Sequence, residues 1–226
     1  MELCFFTADA LDTVWQDKLQ TIGNSDVVVF GFNGLGLVSY KKELSGETEY
    51  FQDVAKLSAE ISSVVVCGCD TDIYGAFRHS AVIADRGKIL GVTDMAHSVD
   101  ESEFVAGGNF RVYDTSAGKI GIIVCEDLFF PESGRVLALC DADIIICIFK
   151  KVEKSMPQVM LRAGAFANGV TMALCATGYA AVADIRGNII LSGGGKTLKS
   201  SVKIEKDFHL ISLRQRGLYR DFNSGY

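Results

Sequence analysis

The sequence predicts an α/β layered sandwich built on mixed β-sheets. Continuous apolar runs of strand length recur at residues 27–30, 64–67 and 144–149. A strand that is apolar throughout is one covered on both faces. Between these runs, apolar residues recur at helical spacing, as in Leu11, Val14, Trp15, Leu19 and Ile22. Turn signals such as Asp85-Arg86-Gly87 intersperse hairpins among the βα units, so the sheets are not purely parallel.

Taken in order, residues 2–6 give a short apolar opening strand. The helix carrying Leu11 to Ile22 follows, and Gly23-Asn24 ends it, since both residues tolerate a left-handed backbone. After the strand at 27–30, the stripe Phe51, Val54, Ala55, Ser58 and Ile61 marks a second helix, which leads into the run 64–67. Residues 79–84 and 88–92 read as strands around Asp85-Arg86-Gly87, and 110–114 and 119–125 read likewise around Ser116-Ala117-Gly118. Pro131 and Ser133 open a helix through Val136, Leu137 and Cys140, and the buried strand 144–149 comes next. Met156, Val159, Met160, Ala163 and Ala167 stripe a further helix entered at Pro157. Residues 171–177, 180–184 and 188–191 read as closing strands, with Arg186-Gly187-Asn188 as a hairpin turn. Residues 193–206 read as a flexible loop, because their GGGK lacks the spacing and the following Ser/Thr of a phosphate loop. No linker, repeat or low-complexity stretch divides the chain, so residues 1–226 read as a single domain.

Composition narrows the function classes. Hydrophobic residues make up 49% and charged residues 22% of the 226 residues, which excludes a mostly disordered chain. The net charge is -6 and the basic runs are as short as Lys41-Lys42 and Lys150-Lys151, which argues against a nucleic-acid partner. No stretch approaches the roughly 20 apolar residues of a membrane span. The opening MELCFF has no basic region and does not read as a signal peptide. Seven cysteines, an odd number set mostly in apolar runs, fit buried thiols in a reducing cytoplasm better than a disulfide framework. Cys67-Gly-Cys69 has no second ligand pair and reads as structural, so neither a metal nor another cofactor is expected.

The most informative segment is KIGIIVCEDLFFPE, residues 119–132. A buried strand ends at Cys125, acids follow, and Pro131-Glu132 starts a helix. A strand–turn–helix of this kind lifts the cysteine to the sheet edge and aims backbone N–H groups at whatever the sulfur attacks, the layout of a nucleophile with an oxyanion site.

These residues resemble the nitrilase, or carbon–nitrogen hydrolase, superfamily, whose nucleophile pattern is matched at Lys119, Ile120, Gly121, Cys125, Asp127, Phe130, Pro131 and Glu132. The likeness continues through Arg135, Leu137, Ala138 and Leu139, through Arg162, Ala165 and Asn168, and into the segment Asp184 to Asn188. It implies a nitrilase-like αββα sandwich with mixed sheets, pairing as a homodimer through its helices. It also implies hydrolysis of small amides, nitriles or carbamoyl compounds by a Cys nucleophile, a Glu base and a Lys. A base is needed because a thiol of pKa about 8.5 is only a few per cent ionised at neutral pH.

Against that pattern the chain departs at two positions. Where the family has its Glu, after an apolar strand, stands Phe32; where it has its Lys, two residues before the matched His97, stands Met95. Removing one charge of a pair strands the other in a closed pocket at several kcal/mol, whereas removing both leaves an apolar niche that can pack. Cys125 is then poorly supported: Glu126 and Asp127 raise a thiol pKa, and the only favourable element is the helix N-terminus after Pro131, worth about 0.3–1 kcal/mol. Two readings follow. In the first, the protein is a weakly active or inactive relative with a binding or regulatory role, its niche lined by Phe32 and Met95. In the second, Cys125 is an active amidase nucleophile for a small amide or nitrile, with Glu101, Glu126 or Lys150 as substitute partners. A thiol redox role for Cys125 is a third. Phe149 and Lys150 end a strand whose edge, by the resemblance, borders the pocket, and Glu101 falls in register with a further family acid beside Phe104 and Gly107. His79 reads as structural. The helical surfaces show no unusual apolar excess, so dimerisation rests on the resemblance.

Overall fold

The computed structural model describes residues 1–99, 103–108, 110–152, 156–207 and 209–213. The elements run β1 (Glu2–Phe6), α1 (Leu11–Asp17), α2 (Leu19–Ile22), β2 (Val27–Phe30), β3 (Gly36–Ser39), α3 (Tyr40–Ser45), α4 (Tyr50–Glu60), β4 (Val64–Ile73), β5 (Ala76–Asp85) and β6 (Lys88–Asp94). They continue with β7 (Val112–Thr115), β8 (Gly118–Val124), a 3-10 turn at Cys125–Phe129, α5 (Pro131–Leu139), β9 (Ile144–Phe149) and α6 (Met156–Asn168). β10 (Thr171–Ala176), β11 (Tyr179–Ala183), β12 (Ile189–Gly194), β13 (Thr197–Ser201) and α7 (His209–Ser212) complete the order.

Two mixed sheets result. One has the order β13-β1-β2-β4-β5-β6, with β3 also pairing β4; the other has β12-β11-β10-β9-β8-β7. In each, three parallel strands form the centre, β1-β2-β4 and β8-β9-β10; β5, β7 and β11 flank them as antiparallel hairpin partners, and β13 flanks β1 antiparallel from the far end of the sequence.

Alternation along the apolar strands explains the layers. Leu3, Phe5, Val27, Val29, Val64 and Val66 of the first sheet meet Ile120, Ile122, Ile144, Ile146 and Ala173 of the second in one core between the sheets. The intervening Cys4, Phe6, Val28, Phe30, Val65 and Cys67 face Leu11, Val14, Ile22, Val54 and Leu57 of α1, α2 and α4. Ile123, Ile145, Cys147, Met172 and Leu174 face Leu137, Ala138, Leu161 and Ala165 of α5 and α6. That is helix, sheet, sheet, helix: an αββα sandwich. Each fully buried Val, Leu or Ile contributes about 1.5–3 kcal/mol, so the continuous apolar runs are the fold's main stabilising feature.

The structure corrects the sequence reading in three places. Residues 193–206 are not a loop throughout: β13 lies within them and pairs β1 antiparallel, from Glu2 opposite Ser201 to Phe6 opposite Thr197. The single helix expected from Leu11 to Ile22 is broken at Lys18, which leaves helical geometry at φ -130°. β3 and α3 occupy a stretch for which the sequence suggested no element. β4 is long enough to carry β2 along its first half and β3 along its second, both parallel. The chain between β2 and β3 crosses close over Gly68, where a Cβ would lie 3.0 Å from the Phe32 nitrogen and 2.6 Å from Ile148 Cγ2 of the opposite sheet. Only glycine lets the two sheets and this crossing come together there.

Candidate functional site

The site lies at the C-terminal ends of the parallel strands, where both sheets deliver side chains to the inter-sheet core. β8 ends at Val124, and Cys125 follows with φ +49°. A non-glycine residue held there costs on the order of 1–3 kcal/mol, the strain characteristic of a turn that projects one side chain. The 3-10 turn Cys125–Phe129 then passes into α5, which begins with Pro131, a position where its missing N–H and fixed φ suit a first helical residue. The strand–turn–helix expected from the sequence is therefore present.

The Cys125 side chain is not open to solvent: the residue is 1% exposed, beside Phe32 at 4% and Met95 at 3%, and all three belong to the same apolar core cluster. Burial pushes the thiol well above its ordinary pKa, with the Glu126 carboxylate and Cys147 adding to the shift. The Lys150 backbone and charge oppose it without reversing it.

Asp127 has a different task from the one expected. Fully buried, its carboxylate accepts the Ala96 N–H at 2.7 Å, the His97 N–H at 2.8 Å and His97 Nδ1 at 2.7 Å. Burial raises its pKa, and these hydrogen bonds pull the other way. His97 also stacks on Phe130 at 3.9 Å. One carboxylate thus ties residues 95–97 to the turn after Cys125. Met95 is fixed further by its N–H to the His79 carbonyl at 2.8 Å and by its own carbonyl, which accepts the Gly107 N–H at 2.7 Å.

Lys150 is engaged rather than poised as a spare cation. Its Nζ lies 3.0 Å from Asp70 Oδ2, 4.7 Å from the Phe104 ring centroid and 5.8 Å from that of Phe32, with the side chain 48% exposed. The other Asp70 oxygen is 2.6 Å from His79 Nδ1. His79 stacks on Phe104 at 3.8 Å and meets Phe32 edge-on at 5.4 Å. Sequence reasoning missed Asp70 and underrated His79. The available signal was that both flank the turn at Tyr74-Gly75, where hairpin register sets them opposite each other. Phe149 is a correction: strand alternation turns Ile148 into the inter-sheet core and Phe149 the other way, edge-on to Phe129 beneath α5 and α6. Glu101 lies outside the described residues. Among the described residues no cluster of His, Cys, Asp and Glu could hold a metal ion. Among them, too, no helix is long and apolar enough to cross a membrane.

The outer face of α5 and α6 also departs from expectation. Val136, Leu139, Met156, Val159 and Phe166 are exposed there, an apolar excess the sequence pattern had not suggested. Between the two helices lies a cavity of about 340 Å³ lined by Leu128, Phe130, Met160, Gly164 and Asn168 among others.

Fold and turn together define a class, an αββα sandwich carrying a thiol on a strained strand-to-helix turn. The carbon-nitrogen hydrolase family model matches residues 25–204, and the chain belongs to that family. It is 36% identical over 121 residues to a nitrilase of Pyrococcus abyssi, covering 51% of this chain and 44% of that protein. It is 34% identical over 84 residues to a citrullinase of Francisella tularensis, covering 34% and 29% respectively. Each match thus spans less than half the length of the curated relative. Among solved structures, an amidase from Nesterenkonia sp. AN1 superposes with a TM-score of 0.79 at 18% identity, over 98% of this chain and 99% of that one, which establishes the nitrilase fold.

Proposed function

We propose that this carbon–nitrogen hydrolase-family chain keeps the nucleophile-position Cys125 without its Glu and Lys partners, and is weakly active or inactive with a binding or regulatory role. One observation carries the reading: Phe32, Met95 and Cys125 share a single buried apolar cluster. Among the described residues no carboxylate hydrogen-bonds this thiol, and burial favours its neutral form. On this reading residues 1–226 form one domain, and the ligand is a small amide-like molecule of the kind suggested by the nitrilase and citrullinase relatives. The exposed apolar face of α5 and α6 supports a homodimer paired through those helices.

The test is ammonia release from acetamide and propionamide by purified protein, compared with the Cys125→Ala variant. Equal, near-background rates are expected. Hydrolysis that disappears in Cys125→Ala would favour the second reading, a thiol amidase using Glu101, Glu126 or Lys150. The strained Cys125 backbone and the favourable Lys150 charge speak for that alternative.

A further inference from the structure

We propose that Lys150, Asp70 and His79 form a clamp between the two sheets that holds Phe32 and Phe104 at the mouth of the Cys125 niche and so decides whether the thiol can be reached. This rests on the reading of the niche as closed, and it assigns its regulation to residues outside the nucleophile turn. Lys150 follows β9 of one sheet, whereas Asp70 and His79 are opposed residues of the β4–β5 hairpin in the other. The Lys150–Asp70 pair at 3.0 Å therefore bridges the sheets at their shared C-terminal edge. Each Asp70 oxygen serves one partner, Lys150 or His79. Burial works to raise the Asp70 carboxyl, but the hydrogen bonds from His79 and Lys150 outweigh it and keep the group below its ordinary range.

The aromatic side chains are gripped by two of these residues, His79 and Lys150, which Asp70 holds in place. The His79 ring lies on Phe104 at 3.8 Å and against Phe32 at 5.4 Å, and the Lys150 ammonium lies over both rings. The Lys150 charge also acts on the Cys125 thiol, opposing the rise of its pKa, so the side chain that ties down the mouth is felt at the sulfur. Opening the niche requires breaking a half-exposed ion pair and two cation–π contacts. Each is individually modest, so loosening them is expected to raise access about three- to tenfold.

The experiment measures native-state labelling of Cys125 by iodoacetamide, resolved by peptide mass spectrometry from labelling of the exposed Cys140, which serves as internal reference. Lys150→Gln and Asp70→Asn are expected to accelerate Cys125 about three- to tenfold with Cys140 unchanged, while Lys150→Arg, which can keep the pair, stays near the wild-type rate. In the wild type, about 1 M salt is expected to act in the same direction by screening the half-exposed pair. Folded Lys150→Gln and Asp70→Asn proteins that label at the wild-type rate would overturn the clamp, as would Lys150→Arg labelling as fast as Lys150→Gln. Should the variants not fold, a wild-type rate that is flat in salt overturns it. A wild-type Cys125 that labels as fast as Cys140 would instead sink the closed-niche reading, and the clamp with it. Slow wild-type labelling that neither substitution nor salt changes removes the clamp alone.

Discussion

Two strand ends meet at the niche, and they have kept different things. The end of β8 retains the geometry of a nucleophile turn: Cys125 at φ +49°, a 3-10 turn, then α5 opened by Pro131. The end of β2 presents an apolar side chain instead. Its chain crosses over Gly68 and delivers Phe32 to the core, where the resemblance to the family leads one to expect a carboxylate. The difference teaches that backbone geometry and side-chain chemistry are maintained by separate forces. The turn at Cys125 is held by packing and hydrogen bonds that do not involve the sulfur's reactivity. Position 32 needs only a side chain compatible with its surroundings, and those surroundings are apolar.

The largest expected effect comes from forcing chemistry back onto the β2 end. Phe32→Glu buries a carboxylate in the core cluster that also holds Met95, Cys125 and Ile148, and is expected to cost about 3–5 kcal/mol in urea unfolding. Adding Met95→Lys should recover part of that loss by pairing the charges. No recovery in the double variant would mean that positions 32 and 95 do not face one another, breaking the comparison at its root.

Next in size is the link between the two regions. Asp127→Ala removes a buried acceptor of the Ala96 and His97 N–H groups. A loss of about 2–3 kcal/mol is expected, since buried donors left unpaired carry most of the cost. A change near zero would show that residues 95–97 are held in place by other contacts.

The smallest effect concerns the thiol alone. Burial, Glu126 and Cys147 raise the Cys125 pKa, so its thiolate fraction at neutral pH is depressed and keeps growing tenfold per pH unit above the ordinary thiol value. The Cys125 labelling rate should therefore still climb between about pH 8 and pH 9.5, where a free thiol of pKa about 8.5 begins to level off. A plateau below about pH 7.5 would sharpen the case for a working nucleophile.

Much of the fold was legible because two-sided burial writes itself into sequence. The runs 27–30, 64–67 and 144–149 could hardly be anything but covered strands, and all are. β13 was not legible, because an edge strand with exposed and half-buried positions at Thr197–Ser201 needs no apolar run. At the site, the turn around Cys125 could be read from local spacing alone. The pairing of Asp70 with His79 depends on hairpin register, and their meeting with Lys150 depends on how the sheets stack. The first can be read from the turn at Tyr74-Gly75, but the second is written in no short window of residues. The resemblance points to the strand edge at Phe149 and Lys150 as a whole, but period-2 alternation sends neighbours to opposite faces, and Phe149 faces α5 and α6.

Asp127 has a consequence for how this protein can change. Because one carboxylate docks residues 95–97 onto the nucleophile turn, whatever side chain occupies position 95 arrives at the same address, whether methionine or lysine. The socket is built by other residues than the plug. Rewiring such a centre, in either direction, is then a matter of single-codon edits on a chassis that never has to be rebuilt.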